Sequence, residues 1–128
     1  MKSSTFLLAM AALAAPAYAE EPPGMSPRTS VRDARALLLV AIQASNGQAH
    51  GVLTGELANA ITQRFGAISP IFIDITTERR YQQPGCSRLK VLFWQDGVLL
   101  PGAIAPRKQT MEFGINYCRD GSPPKSLR

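Results

Sequence analysis

The sequence contains little of what catalysis and metal binding usually require. Its 128 residues include one histidine, His50, and two cysteines, Cys86 and Cys118. A structural zinc site uses four ligands, mostly from cysteine and histidine, so these three side chains are too few and we predict neither a metal site nor another cofactor. The cysteines are also too far apart in the sequence to form the Cys-x-x-Cys motif of a redox dithiol.

Long apolar runs are also scarce, and the one of note lies at the N-terminus. Lys2 precedes an apolar run at residues 6–15, and Ala17-Tyr18-Ala19 follows it as a small-x-small cleavage motif. The run is shorter than the roughly 20 apolar residues that span a bilayer. We therefore predict a signal peptide over residues 1–19, cleaved after Ala19, export to the periplasm, and no transmembrane segment in the mature chain.

The mature chain is mildly basic and has no dense basic run. Thirteen Lys and Arg stand against nine Asp and Glu, a formal charge of +4, so nucleic-acid binding is not indicated. Proline and glycine in residues 20–29 predict a disordered lead-in, and Pro123-Pro124 in residues 119–128 predicts a disordered tail. Residues 30–118 remain as a single domain of modest size.

Two short helices are predicted at the start of this domain. Ser30 and Asp33 have the spacing of a capping box, and the next residues show helical periodicity. Residues 48–51 predict a polar loop that contains His50. Thr54 can cap a second helix, which Gly66 would end. The apolar positions of the two helices are Ala34, Leu37, Leu38, Ala41 and Ile42 in the first, and Leu57, Ile61 and Phe65 in the second.

Alternating apolar residues then predict antiparallel strands at residues 71–76, 86–94 and 109–118, with a hairpin turn at Asp96-Gly97 and brief pairing at residues 98–100. If the strands at 86–94 and 109–118 are antiparallel neighbours, Cys86 lies beside Cys118, and we predict a disulfide between them. The predicted fold class is α+β: two N-terminal helices packed on one face of a three- to four-stranded antiparallel meander, with one disulfide.

The outward face of this predicted sheet combines aromatic and cationic side chains, a composition enriched at protein interfaces. Its members are Phe72, Arg88, Lys90, Leu92 and Trp94. Two explanations stay open, because an apolar patch requires cover: a partner binds there, or the chain's own excursion at residues 95–107 covers it.

His50 supports an alternative, catalytic hypothesis. A histidine in a glycine-rich loop could be an exposed general base, and an acid such as Glu56 could assist it in a small exported hydrolase of the cell envelope. The nucleophile that such a site needs is not signalled nearby in the sequence.

Three segments carry a resemblance to a known group of proteins. They are residues 85–89 (Gly-Cys-Ser-Arg-Leu), 116–124 and 51–55 (Gly-Val-Leu-Thr-Gly). They resemble small exported accessory proteins encoded in conjugative-transfer (type IV secretion) regions of plasmids and integrative elements, including proteins of the KikA kind. The resemblance implies a periplasmic accessory role near a type IV secretion apparatus. Because the sequence carries no catalytic signature, our first interpretation is a non-enzymatic periplasmic binding or assembly module, accessory to conjugative DNA transfer. The expected partner is another envelope protein, and a second copy of the chain is the other candidate.

Overall fold

The computed structural model describes residues 27–128, which form a five-stranded sheet and two helices. The predicted signal peptide and most of the predicted lead-in lie outside the described residues. Neither helix in this part of the chain is long and apolar enough to span a bilayer. The elements in order are β1 Thr29–Val31, α1 Arg35–Gln43, β2 Gln48–Leu53, α2 Glu56–Phe65, β3 Ile71–Arg80, β4 Cys86–Val98 and β5 Arg107–Cys118.

The strands lie in the sheet in chain order, from β1 at one edge to β5 at the other. β1 is parallel to β2, and every other neighbouring pair is antiparallel. The predicted fold is therefore wrong. In place of an antiparallel meander of three or four strands after two helices, the chain builds a mixed sheet with one strand before α1 and another between the helices.

β1 and β2 were not predicted, because both lie where the sequence predicts other local structure. Ser30 belongs to β1 and does not cap a helix. The first helix begins at Arg35, whose backbone N–H donates to Asp33 Oδ1 at 2.9 Å. The predicted loop at residues 48–51 is the start of β2, and it pairs with β3 through His50 and Asp74.

Glycine in β2 allows the first helix to lie close to the sheet. Gly51 is buried, and a Cβ atom at this position would collide with the Leu37 side chain and lie 3.0 Å from the Thr29 carbonyl oxygen. Any larger residue would push α1 or β1 away from β2. The apolar–polar alternation in the sequence of β2 is therefore weak, because the residue at position 51 must be small for α1 to pack against the strand.

The core fills the space between the helices and one face of the sheet, called here the inner face. Burying one large apolar side chain contributes roughly 1.5–3 kcal/mol to folding. The largest fully buried side chains are Leu37 of α1, Ile73 and Ile75 of β3, and Leu89 and Val91 of β4.

The second helix forms where helical spacing predicts it, with a different start. Its N-cap residue is Gly55 at φ 92°, a left-handed conformation that glycine adopts readily. Thr54, the predicted cap, donates its backbone N–H and its hydroxyl to the Val31 carbonyl instead, at 2.7 and 3.3 Å, and so fastens β1. Gly66 ends the helix in the left-handed conformation, as predicted.

The predicted disulfide is confirmed. Cys86 and Cys118 are opposite each other in the β4–β5 register and are bonded. The predicted hairpin at Asp96-Gly97 is wrong, because β4 continues through these residues to Val98, and the register to β5 shifts between Gln95 and Val98.

Residues 119–128, for which the composition predicts a disordered tail, return along the connection between β3 and β4. Gln82 N–H donates to the Arg128 carbonyl at 2.7 Å, and Lys125 N–H donates to Gln83 Oε1 at 2.8 Å.

Candidate functional site

The face of the sheet opposite the helices, called here the outer face, carries the predicted partner-binding residues. Phe72 and Trp94 occupy opposite positions on β3 and β4, and their ring centroids lie 4.4 Å apart. Both side chains are only partly buried. Strand alternation places all five predicted residues on this face, because their neighbours along each strand point to the inner face, where all are buried except Phe93, which is partly buried.

Asp74 is the centre of a hydrogen-bonded cluster beside this aromatic pair. Trp94 Nε1–H donates to Asp74 Oδ2 at 2.7 Å, and Arg28 Nη1–H donates to Oδ1 at 2.9 Å. His50 Nδ1 lies 2.7 Å from Oδ1 and donates in the tautomer that carries its proton on Nδ1. Residues from the chain preceding β1 and from β2, β3 and β4 therefore meet at one carboxylate.

The environment of Asp74 keeps its carboxylate charged. Burial by itself would raise the pKa of this carboxyl, but the hydrogen bonds from His50, Arg28 and Trp94 outweigh burial and hold the pKa below its ordinary value. Asp74 is consequently ionised at neutral pH, and as a charged acceptor it fixes the orientation of all three donors.

Two cations lie against the aromatic pair. The Arg28 guanidinium carbon is 4.5 Å from the centroid of the Phe72 ring, and Lys108 Nζ is 4.4 Å from that of Trp94. The excursion at residues 95–107 turns toward α2 at its start, since Leu99 N–H donates to the Phe65 carbonyl of α2 at 3.4 Å. The Trp94 ring is contacted by two charged side chains: Arg28, beside the β1 edge of the sheet, and Lys108, on β5 at the other edge.

The remaining predicted residues extend the outer face toward β5. Arg88 Nη1 donates to Asn116 Oδ1 at 3.3 Å. Lys90 Nζ lies 3.9 Å from Glu112 Oε1, with both side chains largely exposed, and such pairs contribute little to stability. Leu92 lies between Asp74 and Glu112 in the register.

His50 is paired with a different acid from the one the sequence offered. Its carboxylate partner is Asp74, whereas Glu56 lies in the first turn of α2. Across residues 27–128, no hydroxyl or thiol group forms a hydrogen bond with the imidazole. The geometry provides an oriented histidine without a side-chain nucleophile.

Sequence reasoning missed Arg28, Asp74 and Lys108 as members of this site. Asp74 did carry a signal, because a carboxylate in the middle of an apolar strand needs a partner when it is partly buried. Arg28 gave none, since it lies in a stretch whose composition predicts disorder.

The inner face has a second feature, an apolar groove of about 410 Å³ between α2 and the sheet. No charged side chain lines it. In the described part of the chain, no three His, Cys, Asp or Glu side chains are grouped closely enough to hold a metal ion. The lining residues include Leu57, Ile61 and Phe65 of α2 and Phe93 and Met111 of the sheet.

Comparison with protein-family models, with curated protein sequences and with solved structures finds no match to this chain. Function is therefore inferred from the side chains of the outer face.

Proposed function

We propose that the protein is a non-enzymatic binding module of the periplasm, accessory to an assembly of the cell envelope. Its outer face receives an acidic surface of another envelope protein. The observation that carries this proposal is the Phe72–Trp94 pair, which is flanked by cations, fixed by Asp74 and left uncovered by α1 and α2.

A rigid aromatic pair is well suited to binding. Trp and Arg are enriched among the residues that carry most of the energy of an interface. Because the Trp94 indole is already held by Asp74 and by the neighbouring Phe72 ring, little side-chain freedom is left to lose on association.

The charge of the outer face favours an acidic partner. Strand alternation places three cations on this face, and Arg28, just before β1, reaches the face to pair with the ionised Asp74. The remaining acid, Glu112, lies beside Lys90. An excess of positive charge steers association toward negatively charged surfaces. The four cations are Arg28, Arg88, Lys90 and Lys108.

The cellular setting of the proposal comes from the sequence and from the disulfide. The signal-peptide pattern and the Cys86–Cys118 bond both fit an oxidising compartment such as the periplasm. The resemblance to accessory proteins of conjugative-transfer regions supports a role beside a type IV secretion apparatus.

Photo-crosslinking in cells and the substitution Trp94→Ala test the proposal. A photo-crosslinking residue at Leu92 should give adducts with one envelope protein in intact cells, and one at Val40, an exposed position on α1, should not. Trp94→Ala should weaken binding of the purified partner by about 2 kcal/mol or more, while Val40→Ala should leave it unchanged. Trp94→Ala will also lower the melting temperature, so binding is measured where the variant is folded. Unchanged affinity in folded Trp94→Ala protein would rule out the outer face as the binding surface.

A second candidate function is a small envelope hydrolase, and the observation that favours it is the 2.7 Å contact between His50 and Asp74, which orients a base. His50→Ala separates the two functions. A hydrolase should lose its cellular phenotype in a variant that is still folded, whereas the binding module should retain it.

A further inference from the structure

The strand β5 is a long, open edge of the sheet. It runs over 12 residues with β4 as its neighbour on one side. Two observations show which backbone groups point outward. Arg119 N–H donates to Gly85 on the β4 side, whereas Cys118 N–H donates away from β4 to Ser122. The Cα atoms of Cys86 and Cys118 lie only 4.0 Å apart, as in a pair without direct ladder bonds.

Because the direction of backbone groups alternates along a strand, the even-numbered residues of β5 direct their N–H and C=O groups away from β4. Ser122 occupies this position at Cys118. In residues 27–128, no group forms a hydrogen bond with the backbone of the even-numbered residues from 110 to 116, which are Thr110, Glu112, Gly114 and Asn116.

The two sides of this edge differ in chemistry. On the inner face, Met111 is 59% and Phe113 is 41% exposed, although Phe113 stacks on Phe93. On the outer face, the nearby charges are three cations and one acid, Glu112. The cations are Arg88, Lys90 and Lys108. An apolar stripe therefore borders one side of the open backbone and an excess of positive charge borders the other.

We infer that β5 is a site of strand addition, which takes an extended segment of another protein that alternates apolar and acidic residues. Main-chain hydrogen bonds to the outward groups of residues 110–116 hold the segment, as in other complexes formed by strand addition. Its apolar side chains lie beside Met111 and Phe113. Its acidic side chains lie beside the outer-face positions of β5, toward which the Arg88 guanidinium extends at Gly114 and the Lys90 ammonium extends at Glu112. This inference does not depend on the outer-face proposal.

The charges disfavour a second copy of this chain as the occupant. Antiparallel pairing of two β5 strands about Phe113 would place Arg107 of one copy opposite Arg119 of the other, at both ends of the interface. Like charges in direct cross-strand pairs are destabilising. An acidic segment of a different protein removes this repulsion.

The test uses the oxidised full-length mature protein and a fluorescent synthetic peptide of alternating valine and glutamate, with binding followed by anisotropy. A peptide of the same composition, with its valines and glutamates in two blocks, is the control for non-specific charge attraction. The alternating peptide should bind and the block peptide should bind at least about tenfold more weakly, because the block peptide cannot satisfy both sides of the edge.

Glu112→Pro and Glu112→Ala form a matched pair of variants. Proline removes an outward N–H without removing a ladder bond to β4, and both changes remove Glu112, the acid that lies beside this edge on the outer face. Glu112→Ala should bind the peptide at least as tightly as the wild type. Glu112→Pro should bind about tenfold more weakly than Glu112→Ala, as expected for one lost hydrogen bond at an ordered edge.

A second measurement leaves the protein unchanged, in case Glu112→Pro does not fold. The alternating peptide is N-methylated at the residues that face β5, which should weaken its binding to wild-type protein by about tenfold or more. Equal binding of the methylated and unmethylated peptides overturns the inference. So does equal binding of the two Glu112 variants when both are folded, or a stable dimer of the chain that excludes the peptide.

Discussion

Replacing Asp74 with alanine gives the sharpest test of the outer-face cluster. The change removes one carboxylate and leaves three donors without their acceptor: the Arg28 guanidinium, the His50 imidazole and the Trp94 indole. We expect this loss to destabilise the fold, since all three donors stay beside the sheet with less access to water than in the unfolded chain.

The expected magnitude follows from the number of bonds and their exposure. A hydrogen bond to a charged group contributes roughly 1.5–3 kcal/mol. The side chains of Arg28, His50 and Asp74 are 17%, 30% and 23% exposed, so water replaces part of each lost bond. We expect Asp74→Ala to lower the free energy of unfolding by about 2–4 kcal/mol, and the melting temperature by about 10 °C or more.

Urea unfolding of the oxidised protein at neutral pH measures this change, and the slope of the transition should not alter. Asp33→Ala is the matched control. It also removes a carboxylate bonded to an arginine, Arg35, but that pair lies in solvent. The control also removes the hydrogen bond from the Arg35 backbone N–H at the start of α1, so it should lower stability by about 1 kcal/mol, less than Asp74→Ala. A loss below about 1 kcal/mol in Asp74→Ala would show that the cluster contributes little to the fold, and it would refute the view that Asp74 fixes Trp94 for binding.

Two further predictions concern pH and the disulfide. Because the pKa of Asp74 is lower in the folded chain than in the unfolded one, its contribution to stability is present above the ordinary value of 3.8 and is lost as the pH falls through its folded pKa. In urea titrations, the difference in free energy of unfolding between wild type and Asp74→Ala should therefore shrink below that value. A difference that grows in acid would contradict this prediction. The double change Cys86→Ser and Cys118→Ser should lower the free energy of unfolding by about 3–4 kcal/mol, which the same titration measures, and an unchanged urea midpoint would be evidence against a stabilising role for the bond.

Sequence patterns identified the C-terminal half of the sheet because its signals are local. β3 and β4 alternate buried and more exposed residues, β5 alternates apolar and other residues in its sequence, and the position of each cysteine at a strand end was enough to pair Cys86 with Cys118. The one error here was the turn at Asp96-Gly97. This pair has the composition of a hairpin turn, but the chain uses it to shift the register of β4.

The N-terminal strands could not be read in the same way. β2 has Ala49 and Gly51 on its inner side, which resemble loop residues in the sequence and are small because α1 lies against them. β1 is three residues long, and its spacing of Ser30 and Asp33 imitates a helix cap. Because β2 was not predicted, no predicted strand pairing placed His50 opposite Asp74. Local sequence patterns could therefore not predict the cluster at Asp74.

The unequal lengths of the two sheet edges limit how this molecule can assemble. β1 exposes only three residues, and Arg28 just before it is bound to the Gly51 carbonyl and to Asp74. β5 exposes twelve. Growth of a fibre by strand addition needs two usable edges on every subunit. If β5 accepts an extended segment, as inferred above, each molecule binds one such segment there and offers a growing fibre no second long edge.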